Sequence, residues 1–165
     1  LESQGLKNVK ELDWWESIEL KQHKFIYVPA QHFSGRGLFD RMESLWGGYV
    51  IESNNKKMYF AGDTGYSEHF SEIKEKLGKM DMSFIPIGAY EPRWFMQDMH
   101  LNPEDAVKAH IDLDSQKSIG MHYGTFQLTD EKIDQPLIDL EKAKEKYQIN
   151  NFTTLLVGET KIYKF

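Results

Sequence analysis

Three segments of this chain end on a residue able to bind a metal ion, and the three share one layout. Phe25-Ile26-Tyr27-Val28-Pro29-Ala30-Gln31-His32 runs from apolar residues to a histidine. Tyr59-Phe60-Ala61-Gly62-Asp63-Thr64-Gly65-Tyr66 runs to an aspartate set between glycines. Ser118-Ile119-Gly120-Met121-His122-Tyr123-Gly124-Thr125 again ends a β-type run on a histidine. Imidazole nitrogen and carboxylate oxygen are both zinc ligands. Gly62 and Gly65 allow a tight turn around Asp63. Each residue also has a plain reading, Asp63 as a turn residue and the histidines as rings at loop mouths. The shared position favours the metal reading, because sheets of α/β type gather ligands at strand C-termini. No His-x-His-x-Asp-His cluster occurs anywhere in the 165 residues. The set therefore reads as half of a metal site.

The other histidines divide by context. His100 precedes Leu101-Asn102-Pro103-Glu104-Asp105, a helix start with Asn as cap, Pro in the first turn and acids after it. It is read either as a group on the substrate side of the site or as a loop histidine tying down the helix entry. His110 shares a helix face with Ala106 and Val107 and is read as a packing residue. His23, in a turn, and His69, beside a helix start, are expected to be solvated. Trp14-Trp15 and Trp94-Phe95-Met96 are expected in a core or interface, or as an apolar wall for an acyl chain.

These residues need strands and helices to place them. Val9 to Leu20 and Lys24 to Val28 read as strands joined near Lys21-Gln22-His23. Trp46 to Glu52 and Lys57 to Ala61 read as a hairpin across the polar cluster Ser53-Asn54-Asn55-Lys56. Helices are expected over Glu68 to Leu77, stopped by Gly78, then from Asn102 to about Ile111, and over Pro136 to Tyr147. Met82 to Ile87 and Lys117 to His122 read as buried strands. Phe152 to Val157 and Thr160 to Tyr163 read as a closing hairpin around Gly158-Glu159. Early hairpins followed by alternating strands and helices predict an α/β fold with mixed sheets covered by helices on the outer faces.

The chain is long enough for one ordinary domain with a real core. Net charge is −6, and the 20 Lys and Arg are mostly paired with acids along helices, which argues against nucleic acid as a partner. No apolar run approaches the roughly 18 residues of a membrane span, and no polybasic patch for anionic lipid is visible. With no cysteine, a zinc site must use histidine and carboxylate. The absence of cysteine fits a reducing, cytoplasmic compartment. No leader pattern opens the chain, and Leu1, in place of Met, is read as an internal start.

Six segments together resemble a known family. They are Pro29-Ala30-Gln31-His32-Phe33-Ser34-Gly35-Arg36, Leu45-Trp46-Gly47-Gly48, the Asp63 segment, Ile85-Pro86-Ile87-Gly88-Ala89-Tyr90-Glu91-Pro92-Arg93-Trp94-Phe95-Met96, His100-Leu101-Asn102-Pro103-Glu104-Asp105-Ala106, and His122-Tyr123-Gly124-Thr125-Phe126. In this order they resemble the C-terminal half of the N-acylphosphatidylethanolamine-hydrolysing phospholipase D family, within the metallo-β-lactamase superfamily. The likeness runs from about Val9 to Thr160.

The resemblance implies that residues 1–165 form the C-terminal part of an αββα sandwich with two zinc ions between its sheets. It implies His32 on the first zinc, Asp63 bridging both, His122 on the second, and His100 touching substrate. It also implies catalytic roles for Asp63 and His100. The two-zinc hydroxide would attack a phosphodiester, with a lipid or a small molecule as substrate, and a lipid substrate would bring peripheral membrane association. The His-x-His-x-Asp-His loop that supplies the remaining ligands in relatives precedes the segment matching Glu11 to Glu16. Its absence from these residues implies weak zinc binding by this chain alone. Met99 stands where many relatives carry Gln, and Tyr123 where Trp is frequent. Two alternatives stay open. One is a non-catalytic half-domain that binds a partner or pairs with a second copy through exposed half-sandwich surface. The other is a lactonase-type hydrolase of the same superfamily.

Overall fold

A computed structural model describes residues 5–35 and 37–164. Leu1 and Arg36, named above, lie outside the described residues. Among the described residues, seven strands form one sheet in strict chain order: β1 Ser17–Leu20, β2 His23–Pro29, β3 Gly47–Ser53, β4 Lys56–Phe60, β5 Met82–Pro86, β6 Ser118–Met121 and β7 Phe152–Thr153. The first four pair antiparallel, and β4 to β7 pair parallel. The β3–β4 hairpin turns on Asn54 and Asn55, both left-handed with φ of 50° and 60°. Such a two-residue turn matches strand twist, and asparagine tolerates its backbone.

Parallel neighbours need crossover connections, and helices supply them. The connections carry α1 His69–Leu77 after β4, α2 Arg93–Met96 and α3 Pro103–Asp112 after β5, and α4 Gln135–Tyr147 after β6. Right-handed crossovers that always step in one direction put every helix on the same face. The core lies in that layer. Val28, Val50, Tyr59, Ile85 and Ile87 from the sheet side meet Phe70, Ile73, Val107 and Leu140 from the helices, all essentially inaccessible to solvent. Each such side chain contributes about 1.5–3 kcal/mol by burial. The opposite face carries Phe25, Tyr49, Ile51, Met58, Phe60 and Phe84 around an open, apolar concavity of about 390 Å³. Strand alternation forces this, because residues flanking the buried Val50 and Tyr59 must point the other way. Among the described residues no helix is long and apolar enough to cross a membrane.

Three expectations change. The strand predicted over Val9 to Leu20 pairs only from Ser17, because Asp13 to Glu16 close a turn in which Trp15 takes a φ of 73°. The C-terminal hairpin does not form. Phe152 and Thr153 pair in parallel with Ser118 and Ile119 instead, and Leu156, Val157 and Ile162 are exposed. The short helix α2 was not expected, since Trp94-Phe95-Met96 has no helix-length periodicity. Trp94 and Phe95 are exposed, not core.

Candidate metal centre

Chain order places the candidate residues along one sheet edge. His32 follows β2, Asp63 follows β4, His100 lies between α2 and α3 after β5, and His122 follows β6. Side-chain and backbone bonds then draw their loops together. Gln31 N donates to Thr64 Oγ1 at 2.9 Å, and Gly65 N donates to Gln31 O at 2.8 Å. Leu101 N donates to Thr64 O at 2.9 Å. Gln31 Nε2 reaches Asp98 O at 2.9 Å. A Cβ at Gly65 would lie 2.6 Å from Asp98 O, so the loops can close only over glycine. The His100 backbone is also held from outside. Arg93 Nη1 donates to His100 O at 2.9 Å, while Arg93 Nη2 pairs with Asp105 Oδ2 at 2.7 Å. Asn102 caps α3 by accepting from Asp105 N, as its position in the sequence predicts.

All four candidate residues meet at the Asp63 carboxylate. His32 Nε2 and His122 Nε2 each lie 3.5 Å from Asp63 Oδ2. His100 Nδ1 lies 3.2 Å from Asp63 Oδ1. Ligand atoms of His32, Asp63 and His100 fall within 4.8 Å of one another. His32 Nε2, Asp63 Oδ1 and His100 Nδ1 are buried with no hydrogen-bond partner among the described residues. Buried polar atoms left unpaired at one point are costly, and a cation accounts for them. Two ligands of one tetrahedral zinc, each about 2.0–2.1 Å from it, stand about 3.3–3.4 Å apart. The two 3.5 Å spacings lie close to that and exceed a good hydrogen bond. His32 Nδ1 lies 3.0 Å from Phe33 O. Donation to that carbonyl leaves Nε2 with a lone pair facing Asp63, the tautomer a metal ligand requires. The donor set therefore fits zinc.

Burial lowers the pKa of the His100 imidazole. The Asp63 charge pulls the other way and loses, while His122 and His32 add to the lowering and Glu131 opposes it weakly. The net effect favours the neutral imidazole at His100.

The remaining histidines correct two expectations. His69 is buried, not solvated. It packs on Phe70 with ring centroids 3.9 Å apart, and its Nδ1 lies 2.6 Å from Ser67 Oγ. Its Nε2 approaches Thr64 Oγ1 at 3.4 Å, directly behind Asp63. Burial pushes its pKa down to about 4. The polar neighbours Ser67 and Glu68 hid this, while the spacing of His69, Phe70 and Ile73 on one helix face signalled it. His23 begins β2 and is half-buried. His110 is a packing residue as expected, buried with Nδ1 2.7 Å from Ser118 Oγ. Gln31, Thr64 and Arg93, which knit the loops, were not singled out from the sequence.

Comparison with known proteins identifies the family and the fold. A family model described as a beta-lactamase superfamily domain matches residues 1–123. The chain is similar to N-acyl-phosphatidylethanolamine-hydrolyzing phospholipase D 1 of Caenorhabditis elegans, 43% identical over 164 residues, covering 94% of this chain and 46% of that protein. It is also similar to the mitochondrial N-acyl-phosphatidylethanolamine-hydrolyzing phospholipase D of Saccharomyces cerevisiae, 39% identical, covering 87% of this chain and 32% of that protein. The chain thus spans less than half the length of these curated relatives. Among solved structures, a metallo hydrolase from Ignicoccus hospitalis superposes with a TM-score of 0.74 at 22% identity, over 99% of this chain and 64% of that one. At that identity the likeness concerns the fold.

Proposed function

The chain belongs to the metallo-β-lactamase superfamily, and on that premise we propose that it carries His32, Asp63 and His122 for a two-zinc centre that hydrolyses a phosphodiester. One observation carries this reading: a single oxygen, Asp63 Oδ2, faces the Nε2 atoms of both His32 and His122 at 3.5 Å. A carboxylate so placed can serve two ions, with one imidazole on each. Zinc held there by these residues would supply hydrolytic chemistry at neutral pH by lowering the pKa of a bound water. His100 stands on the other carboxylate oxygen. Being neutral, it can take or return a proton at Nδ1, a role for a general acid or base. Arg93 and Asp105 keep it in place through its backbone.

One imidazole per ion is too few, so the remaining ligands come, on this reading, from a further part of a longer protein. That part would also cover the apolar face around Phe25, Tyr49 and Phe84, making residues 1–165 the C-terminal layer of a sandwich. Apolar surface on that scale marks a contact. A second copy of the chain on the same face is the competing occupant, and with it the half-domain would be non-catalytic.

The test is an assay of the full-length protein, loaded with zinc, against an N-acylated phospholipid, a water-soluble phosphodiester and a lactone. Cleavage of either phosphodiester, lost on chelation and restored by zinc, is the expected result. Turnover of the lactone alone would replace the phosphodiester reading with a lactonase.

A further inference from the structure

The loop that carries His122 on from β6 has few anchors. His122 itself takes a left-handed backbone, φ 59°, and Gly124 follows at φ 79°. Phe126, Gln127 and Leu128 are exposed, and beside them lies a cleft of about 200 Å³ that reaches His122. Tyr123 Oη donates to Leu155 O at 2.8 Å, and beyond it the next residue in this loop with strong bonds is Glu131. Its Oε1 accepts from Ala89 N at 2.7 Å and Tyr90 N at 3.3 Å, and its Oε2 accepts from Glu91 N at 3.0 Å. Three successive amides converge because Ala89 is left-handed, φ 62°, which forms a concave anion nest. The bonded turn abuts the site: a Cβ at Gly88 would collide with the His122 carbonyl oxygen and lie 3.1 Å from Tyr123 Cβ. The turn is fixed on its far side, where Tyr90 Oη donates to Asp139 Oδ2 of α4 at 2.8 Å.

We propose that Glu131 is a positioning residue, whose carboxylate fastens the Gly88–Glu91 turn to the loop after β6 and thereby sets the His122 ring beside Asp63. Bonds from amides to a charged carboxylate are the strong kind, and these close a loop of 40–42 residues between the two segments. Burial raises the Glu131 pKa, but bonds from Thr129 and the backbone outweigh it and hold the group ionised. His32 and the Asp63 loop have their own fastening through Gln31 and Thr64, so loss of Glu131 acts on the His122 side of the site and leaves the His32 side held.

The inference rests on reading His122 as a ligand. Its test uses the full-length protein with Glu131→Gln and Glu131→Ala, Gln keeping the shape and losing the charge. Competition with a chromophoric chelator should find one zinc bound as in the parent and the other weakened about 10–100-fold, the usual cost of losing an outer partner of a ligand. A general loss of structure would weaken both. Amide hydrogen exchange of the metal-free proteins supplies a second readout. Exchange should quicken at residues 89–91 and 122–125 and stay unchanged at 62–65. Two zinc ions bound with parental affinity in both variants would overturn the proposal and leave the proposed centre standing. If the parent itself binds no zinc, that centre falls, and exchange alone decides: unchanged rates at 122–125 overturn the positioning role.

Discussion

Replacing Asp63 by Asn in the full-length protein should lower turnover at saturating zinc by more than about 10³-fold, beyond the effect of any other single change at the site. The substitution keeps volume and removes charge. It leaves one oxygen where the structure uses two: Oδ2 between His32 and His122, and Oδ1 toward His100. Whichever way the amide turns, its NH2 stands where the structure has a carboxylate oxygen, and an amide nitrogen is not a metal ligand. His100→Ala should cost less, about 10²–10³-fold, the usual loss for one group acting on developing charge or a single proton. Turnover of both variants, measured side by side, decides between the roles. If His100→Ala is the more damaged enzyme, His100 is itself a ligand or the sole proton donor, and the division of labour is wrong.

The second large effect concerns stability in acid. His69 is buried as the neutral imidazole, with its pKa pushed from 6.5 to about 4. The folded-state value is the depressed one. As pH falls below about 6.5 the unfolded chain therefore takes up a proton that the folded chain refuses. Stability is full above that pH and declines progressively until pH passes about 4. The total is roughly 3 kcal/mol from this one ring. His110, lowered by burial as well, adds in the same direction. Urea unfolding at several pH values between 7.5 and 4, for the parent and for His69→Gln, isolates the His69 share. The variant should start less stable at pH 7.5, because Thr64 and Ser67 lose their ring, and should fall less steeply with acid. Parallel curves for the two proteins would show that His69 is not held neutral.

The residues that converge on Asp63 were legible because each is marked locally. His32, Asp63 and His122 close apolar runs, and β2, β4 and β6 point the same way in the sheet, so their C-terminal ends lie at one edge. The Asn54-Asn55 turn and the Asn102-Pro103 helix start were legible for the same reason. What the sequence hid is made by pairs far apart. Gln31 with Thr64 and Glu131 with Ala89 are separated by 33 and 42 residues, and nothing local distinguishes these side chains from surface polar groups. The C-terminal residues failed differently. Phe152 to Tyr163 has the alternation of a hairpin, but β6 offers an open edge next to Phe152, and parallel pairing there buries that ring completely. The state of His100 was also hidden, because it depends on how far burial outweighs the Asp63 charge.

On the proposed function, Asp63 would join two zinc ions, with His32 on one and His122 on the other. Crystals of the full-length protein grown with zinc, with diffraction recorded on both sides of the zinc absorption edge, test it directly. Two anomalous peaks should share Asp63, one about 2.0–2.1 Å from His32 Nε2 and the other as close to His122 Nε2, with His100 bonded to neither. A single peak held by His32, Asp63 and His100 with His122 free, or no peak at Asp63, would contradict it.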